Sequence, residues 1–109
     1  MSAMKSYPKS RWGATARGPA VVAVLADWCG HCQTVKPVLE KVAARLGGAV
    51  SVYKVNADTS EALTTAWGVQ GFPTIFFVTP LGKRVDYEGE RTVKAMSDWV
   101  CAQSGKCGR

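Results

Sequence analysis

Apolar residues never gather into a run over residues 1–18, and then the pattern changes abruptly. Ala20-Val21-Val22-Ala23-Val24-Leu25-Ala26 is continuously apolar and rich in β-branched residues, which predicts a strand covered on both faces, as in a parallel sheet. Further on, Val35, Val38, Leu39, Val42 and Leu46 recur at helical spacing while Lys36, Glu40, Lys41 and Arg45 take the opposite side. This helix closes at Gly47-Gly48, and Pro37, too deep to be a first-turn proline, predicts a kink in it. Val50 to Asn56 alternates as a second strand. Asp58-Thr59-Ser60-Glu61 then reads as a capping box that opens a short helix through Trp67, with Gly68 as its stop. Thr74 to Val78 and Arg84 to Glu88 flank a turn at Pro80-Leu81-Gly82 and read as a hairpin. Thr92 to Gln103 sets Val93, Met96, Trp99 and Val100 on one stripe of a closing helix.

The order β-α-β-α-β-β-α predicts an α/β domain with a mixed sheet and helices on both faces. With 109 residues, 47% of them hydrophobic, the chain can bury a core without disulfide staples, and four cysteines are too few for a disulfide scaffold. We divide it into a basic, flexible N-terminal arm (1–18), a domain (19–104) and a C-terminal tail (105–109). The arm holds Lys5, Lys9, Arg11 and Arg17 with no acid, so it carries +4 of the net +6. Its charges are sparse, and no stacking aromatics are interleaved beyond Tyr7 and Trp12, so we expect no nucleic-acid partner. No apolar run reaches membrane-spanning length, nor does Met1 to Gly18 read as a secretory signal, so no membrane association is expected.

Trp28-Cys29-Gly30-His31-Cys32 sits where the buried strand hands over to the helix. The first helical turn offers unpaired N–H groups and partial positive charge, both of which favour a thiolate. Cys29 is therefore the candidate nucleophile. Cys32, one turn on and on the same face, can attack a mixed disulfide and release the product. His31 between them can carry positive charge and hydrogen-bond to sulfur, which makes the pair a better oxidant. A zinc half-site is the competing reading, but zinc needs four ligands, and Cys101 and Cys107 are separated by five residues rather than two. We expect neither metal nor organic cofactor. Cys101 reads as a buried free thiol of the last helix; Cys107 could bridge it, cross-link two chains, or act as an accessory thiol.

Together these residues resemble a thioredoxin-fold domain, and specifically a catalytic domain of protein disulfide isomerase, over roughly Pro19 to Ser104. Trp28-Cys29-Gly30-His31-Cys32 is similar to the isomerase active site; thioredoxin has proline where His31 stands. Pro37 matches the family's kinking proline, and Gly71-Phe72-Pro73-Thr74 the loop whose proline is cis and faces the cysteines. Tyr87-Glu88-Gly89-Glu90-Arg91 resembles the segment that supplies a mobile arginine. The resemblance implies that Phe72 and Pro73, with Trp28 as a shield against water, receive an extended substrate, and that Arg91 approaches Cys32 and lowers its pKa.

Two departures stand out. The family places a buried acid six residues before the first cysteine, where this chain has Ala23, so Lys54, which matches that acid's partner, lacks a carboxylate. The family's early strand should also be absent or rudimentary here, leaving an exposed sheet edge that favours self-association, so the expected state is a monomer or a weak homodimer. The reading is an enzyme that forms or isomerises disulfides in protein substrates, with glutathione or another thiol as redox partner. A thioredoxin-like reductase and a low-turnover binding or chaperone module are the alternatives. The resemblance implies the endoplasmic reticulum lumen, while the lack of a readable signal keeps a cytoplasmic setting open.

Overall fold

The computed structural model describes residues 4–7, 19–47, 49–81 and 83–105. Strand β1 (Lys5–Ser6) is followed by β2 (Ala20–Leu25), helix α1 (Gly30–Leu46), β3 (Ser51–Asn56), a 3-10 turn over Ala57–Thr59, α2 (Glu61–Ala66), β4 (Thr74–Val78), β5 (Arg84–Asp86) and α3 (Val93–Ser104). The sheet order is β1-β3-β2-β4-β5. β1, β3 and β2 are parallel, whereas β4 runs antiparallel to β2 and β5 antiparallel to β4. This is the predicted mixed sheet of a thioredoxin fold.

The unbroken apolar pattern of β2 follows from its place. Every residue of it is buried, because it is paired on both sides and covered on both faces. Val21, Ala23 and Leu25 face one core with Val35, Leu39, Val42 and Leu46 of α1 and Met96 and Val100 of α3. Val22 and Val24 face a second core with Phe76, Val78 and Leu63 of α2. Helices therefore lie on both faces, as the pattern requires. α1 continues through Pro37 as one element, although that proline has no N–H for the carbonyl one turn earlier. It ends at Gly47, whose φ of 59° suits glycine.

The first strand is rudimentary, as expected, but three other expectations need correction. The rudimentary first strand exists as β1, and residues 4–7 are not part of a free arm. Lys5 and Ser6 pair with Tyr53 and Lys54, the Tyr7 amide donates to the Lys54 carbonyl at 3.0 Å, and Met4 and Tyr7 are buried. The β3 edge is thus covered along part of its length. The remainder of the arm, and Cys107, lie outside the described residues. Second, the capping box does not form: Ser60 at the start of α2 makes no side-chain cap bond, and Asn56 caps the preceding turn by accepting from the Asp58 amide at 2.9 Å. Third, Cys101, read as a free thiol, is disulfide-bonded.

Candidate active site

Cys29 is the N-cap of α1, with extended backbone that turns its side chain back over the first helical turn. Its sulfur accepts from the Cys32 amide at 3.2 Å, and as a thiol it donates to the Phe72 carbonyl at 3.6 Å. The Phe72–Pro73 peptide is cis, and the loop before β4 holds that carbonyl facing the cysteine. Both cysteines are reduced and buried, but unequally: Cys29 keeps 7% of its surface, Cys32 only 2%. Any partner sulfur must therefore meet Cys29 first.

The two thiols are pushed in opposite directions. The Cys29 pKa is lowered, chiefly by the hydrogen bond from the Cys32 thiol, and then by the backbone N–H groups of Cys32 and His31 and by the Arg91 charge; burial opposes these. Cys32 is pushed up to about 11, chiefly by burial and then by its bond to Cys29, with the Ala26 backbone and Arg91 acting the other way. A sulfur made easier to ionise at the helix entrance, with a sulfur held protonated behind it, suits the division of labour that thiol exchange requires.

The surrounding groups are placed as follows. Trp28 is 71% exposed, so its role is not core packing; it meets Phe72 edge-on with ring centroids 5.8 Å apart. His31 acts on the Cys29 sulfur through its backbone N–H, with its side chain exposed. Gly30 has open space around it: a Cβ there would meet nothing within 4 Å. Arg91 is exposed, and its charge reaches both sulfurs. Ala23, fully buried in the α1 core, is opposite Lys54 in the β2–β3 register, and among the described residues Lys54 has no ion pair.

Two groups near the site make contacts that the sequence reading did not assign to them. Asp58, read there as part of a cap, accepts from Trp28 Nε1 at 2.9 Å through one carboxylate oxygen and from the Asp27 amide at 3.2 Å through the other. It ties the turn before Cys29 to the segment after β3. Tyr87 packs on Trp99 with centroids 4.8 Å apart and donates to the Glu90 carbonyl, one residue before Arg91. A Cβ on Gly89 would lie 2.9 Å from the Tyr87 hydroxyl oxygen, so a larger residue there would require the ring to shift. In each case the partner became visible only in the folded chain.

Comparison with known proteins agrees with this geometry. The family model described as Thioredoxin matches residues 11–102. Protein disulfide-isomerase like 2-2 of Arabidopsis thaliana is 40% identical over 86 residues, covering 79% of this chain and 19% of that protein. Protein disulfide-isomerase A6 homolog of Drosophila melanogaster is 44% identical over 87 residues, covering 79% and 20%. The chain thus spans about a fifth of the length of the curated relatives it matches. Among solved structures, the J-Trx1 fragment of ERdj5 superposes with a TM-score of 0.84 at 19% identity, over 92% of this chain and 51% of that one. The Trx4 domain of ERdj5 gives 0.76 at 18% identity, over 94% and 96%. With the family model spanning most of its length and the cysteines held at the helix entrance, the chain belongs to the thioredoxin family.

Proposed function

We propose that this domain is a thiol–disulfide oxidoreductase of protein disulfide isomerase type, acting on thiols and disulfides of other proteins. One observation carries the reading: the sulfur with the lowered pKa is also the one with an exposed edge, while its neighbour stays protonated and enclosed. In the oxidising direction, a substrate thiolate attacks Sγ of Cys29 in the Cys29–Cys32 disulfide. The S–S bond breaks, and Cys32 leaves as a thiolate and takes up a proton. A second substrate thiolate attacks the substrate sulfur of the mixed disulfide, forming the substrate's disulfide and expelling Cys29 as a thiolate. Two electrons pass from the substrate dithiol to the protein. In isomerisation the Cys29 thiolate attacks a substrate disulfide, and a substrate thiolate later displaces it with no net redox change.

The neighbours support definite roles. Trp28, Phe72 and Pro73 form the rim against which an extended substrate lies. Arg91 lowers the cost of ionising Cys32 when it must attack, and Gly30 and the His31 amide leave the helix entrance open around Cys29. With Ala23 in place of an acid, proton transfer at Cys32 falls to solvent, Lys54 or Arg91. An Ala23→Glu variant should therefore oxidise dithiols faster, and no acceleration would count against this assignment. An oxidising compartment, such as the endoplasmic reticulum lumen that the resemblance implies, suits the activity. Refolding of scrambled ribonuclease tests the whole reading, because Cys29→Ser should abolish the recovery that the wild type gives; equal recovery would exclude catalysis. Equilibration with glutathione then sets the direction: a potential near that of thioredoxin, about 90 mV below that of the isomerase, would favour the reductase reading instead.

A further inference from the structure

A cavity of about 430 Å³ lies beside the cysteine site, at the carboxyl ends of the three parallel strands. Ser6 ends β1 and Tyr7 follows it, Leu25 ends β2, and Val55 and Asn56 end β3; Lys36 of α1, Asp27, Thr59 and Ser60 are the other described residues of the wall. Neither Cys29 nor Cys32 lines it. Open α/β sheets bind ligands at the carboxyl ends of their parallel strands, and the volume falls within the ordinary range of small-molecule sites, roughly 300–1,000 Å³.

The charges of this wall are unbalanced. Lys36 and Lys54 contribute two ammonium groups, and among the described residues neither is in an ion pair. On the neighbouring strand Lys54 is opposite Ala23, which offers it no carboxylate. Among the described residues Asp27 is the single acid in the wall, and its carboxylate accepts from Asn56 Nδ2 at 3.5 Å. Hydroxyls of Ser6, Thr59 and Ser60 and the Asn56 amide add hydrogen-bonding groups, while Leu25 and Val55 supply an apolar floor. A complementary occupant carries two carboxylates for the lysines, one ammonium for Asp27 and a short backbone between them.

We propose that this cavity binds a small acidic peptide of tripeptide size, held by Lys36 and Lys54 through its carboxylates and by Asp27 through its amino group. The occupant would sit next to the turn that leads into Cys29, since Asp27 both lines the cavity and is bound through its amide to Asp58. The proposal does not depend on disulfide exchange and can be tested apart from it.

S-methylglutathione is a suitable probe, because its two carboxylates and one ammonium match the wall and its blocked sulfur cannot exchange. Titrated into the reduced full chain at physiological salt and followed by amide NMR, it should give saturable shifts at Ser6, Asn56 and Thr59. Lys36→Gln/Lys54→Gln should weaken it by at least about tenfold, and Lys36→Arg/Lys54→Arg, which keeps both charges, should retain it. Asp27→Asn should weaken S-methylglutathione but strengthen succinate, which has no amino group for Asp27 to hold. Shifts confined to the Cys29 turn, or binding indifferent to both lysines, would overturn the proposal, as would the absence of any saturable shift. Binding of succinate alone to the wild type would overturn the peptide assignment.

Discussion

Removing the Cys29 sulfur separates the forces that keep Cys32 protonated. In the dithiol, Cys32 is pushed up to about 11 first by burial, then by the hydrogen bond to Cys29 and by repulsion from the charge that Cys29 takes on when it ionises. A thiol titrating near 11 is ionised to about one part in a thousand at pH 8, whereas one left at the ordinary 9.0 would be ionised to about a tenth. In Cys29→Ala the bond and the charge vanish but the enclosure remains, so the Cys32 pKa should fall below that of the wild type and stay above 9.0. The variant also approximates the mixed disulfide, in which the Cys29 sulfur carries no charge. A protonated Cys32 there delays its own attack and leaves time for substrate thiols to rearrange. NMR titration of isotope-labelled cysteine β-carbons reads each thiol separately without modifying it. A wild-type Cys32 that titrates at or below 9.0 would refute the burial argument, and identical curves in the two proteins would refute the part assigned to Cys29.

Asp58→Ala should release the Trp28 indole and the Asp27 amide, shift the indole N–H resonance and destabilise the fold by about 1 kcal/mol in urea unfolding. Thr92→Ala removes the side-chain cap that accepts from the Ala95 amide at 3.1 Å and should also cost about 1 kcal/mol, measured the same way. Tyr87→Phe keeps the ring on Trp99 but loses the bond to the Glu90 carbonyl, so it should loosen Arg91 and raise the Cys29 pKa. Combined with Arg91→Gln it should have no further effect, and full additivity would show that Tyr87 does not act through Arg91. Finally, the folded state holds the Cys32 proton more tightly than the unfolded chain does. The reduced protein should therefore lose stability relative to Cys32→Ala as pH rises from 9.0 through about 11, with the difference fully present below 9.0. A melting-temperature difference that stays constant across that window would contradict the raised pKa.

Read from the sequence alone, the order of elements and the position of Cys29 at a strand-to-helix junction follow from patterns confined to a few turns of chain. The all-apolar β2, the helical stripe of α1 and the glycine that stops it depend on neighbours within about four residues, and such signals survive without knowledge of the fold. Folding decided what depends on distant residues. Asp58 reads locally as a cap, yet its carboxylate is taken by Trp28, thirty positions earlier, while Asn56 caps the turn instead. Cys29 and the Phe72 carbonyl, 43 positions apart, meet because β2 and β4 are adjacent in the sheet. The alignment of two residues with β3 that gives β1 its place is too short to leave a periodic trace. Above all, C-x-x-C spacing makes the two sulfurs alike, and only the packing of α1 against the sheet, which encloses Cys32 and leaves an edge of Cys29 in solvent, gives them opposite acidities.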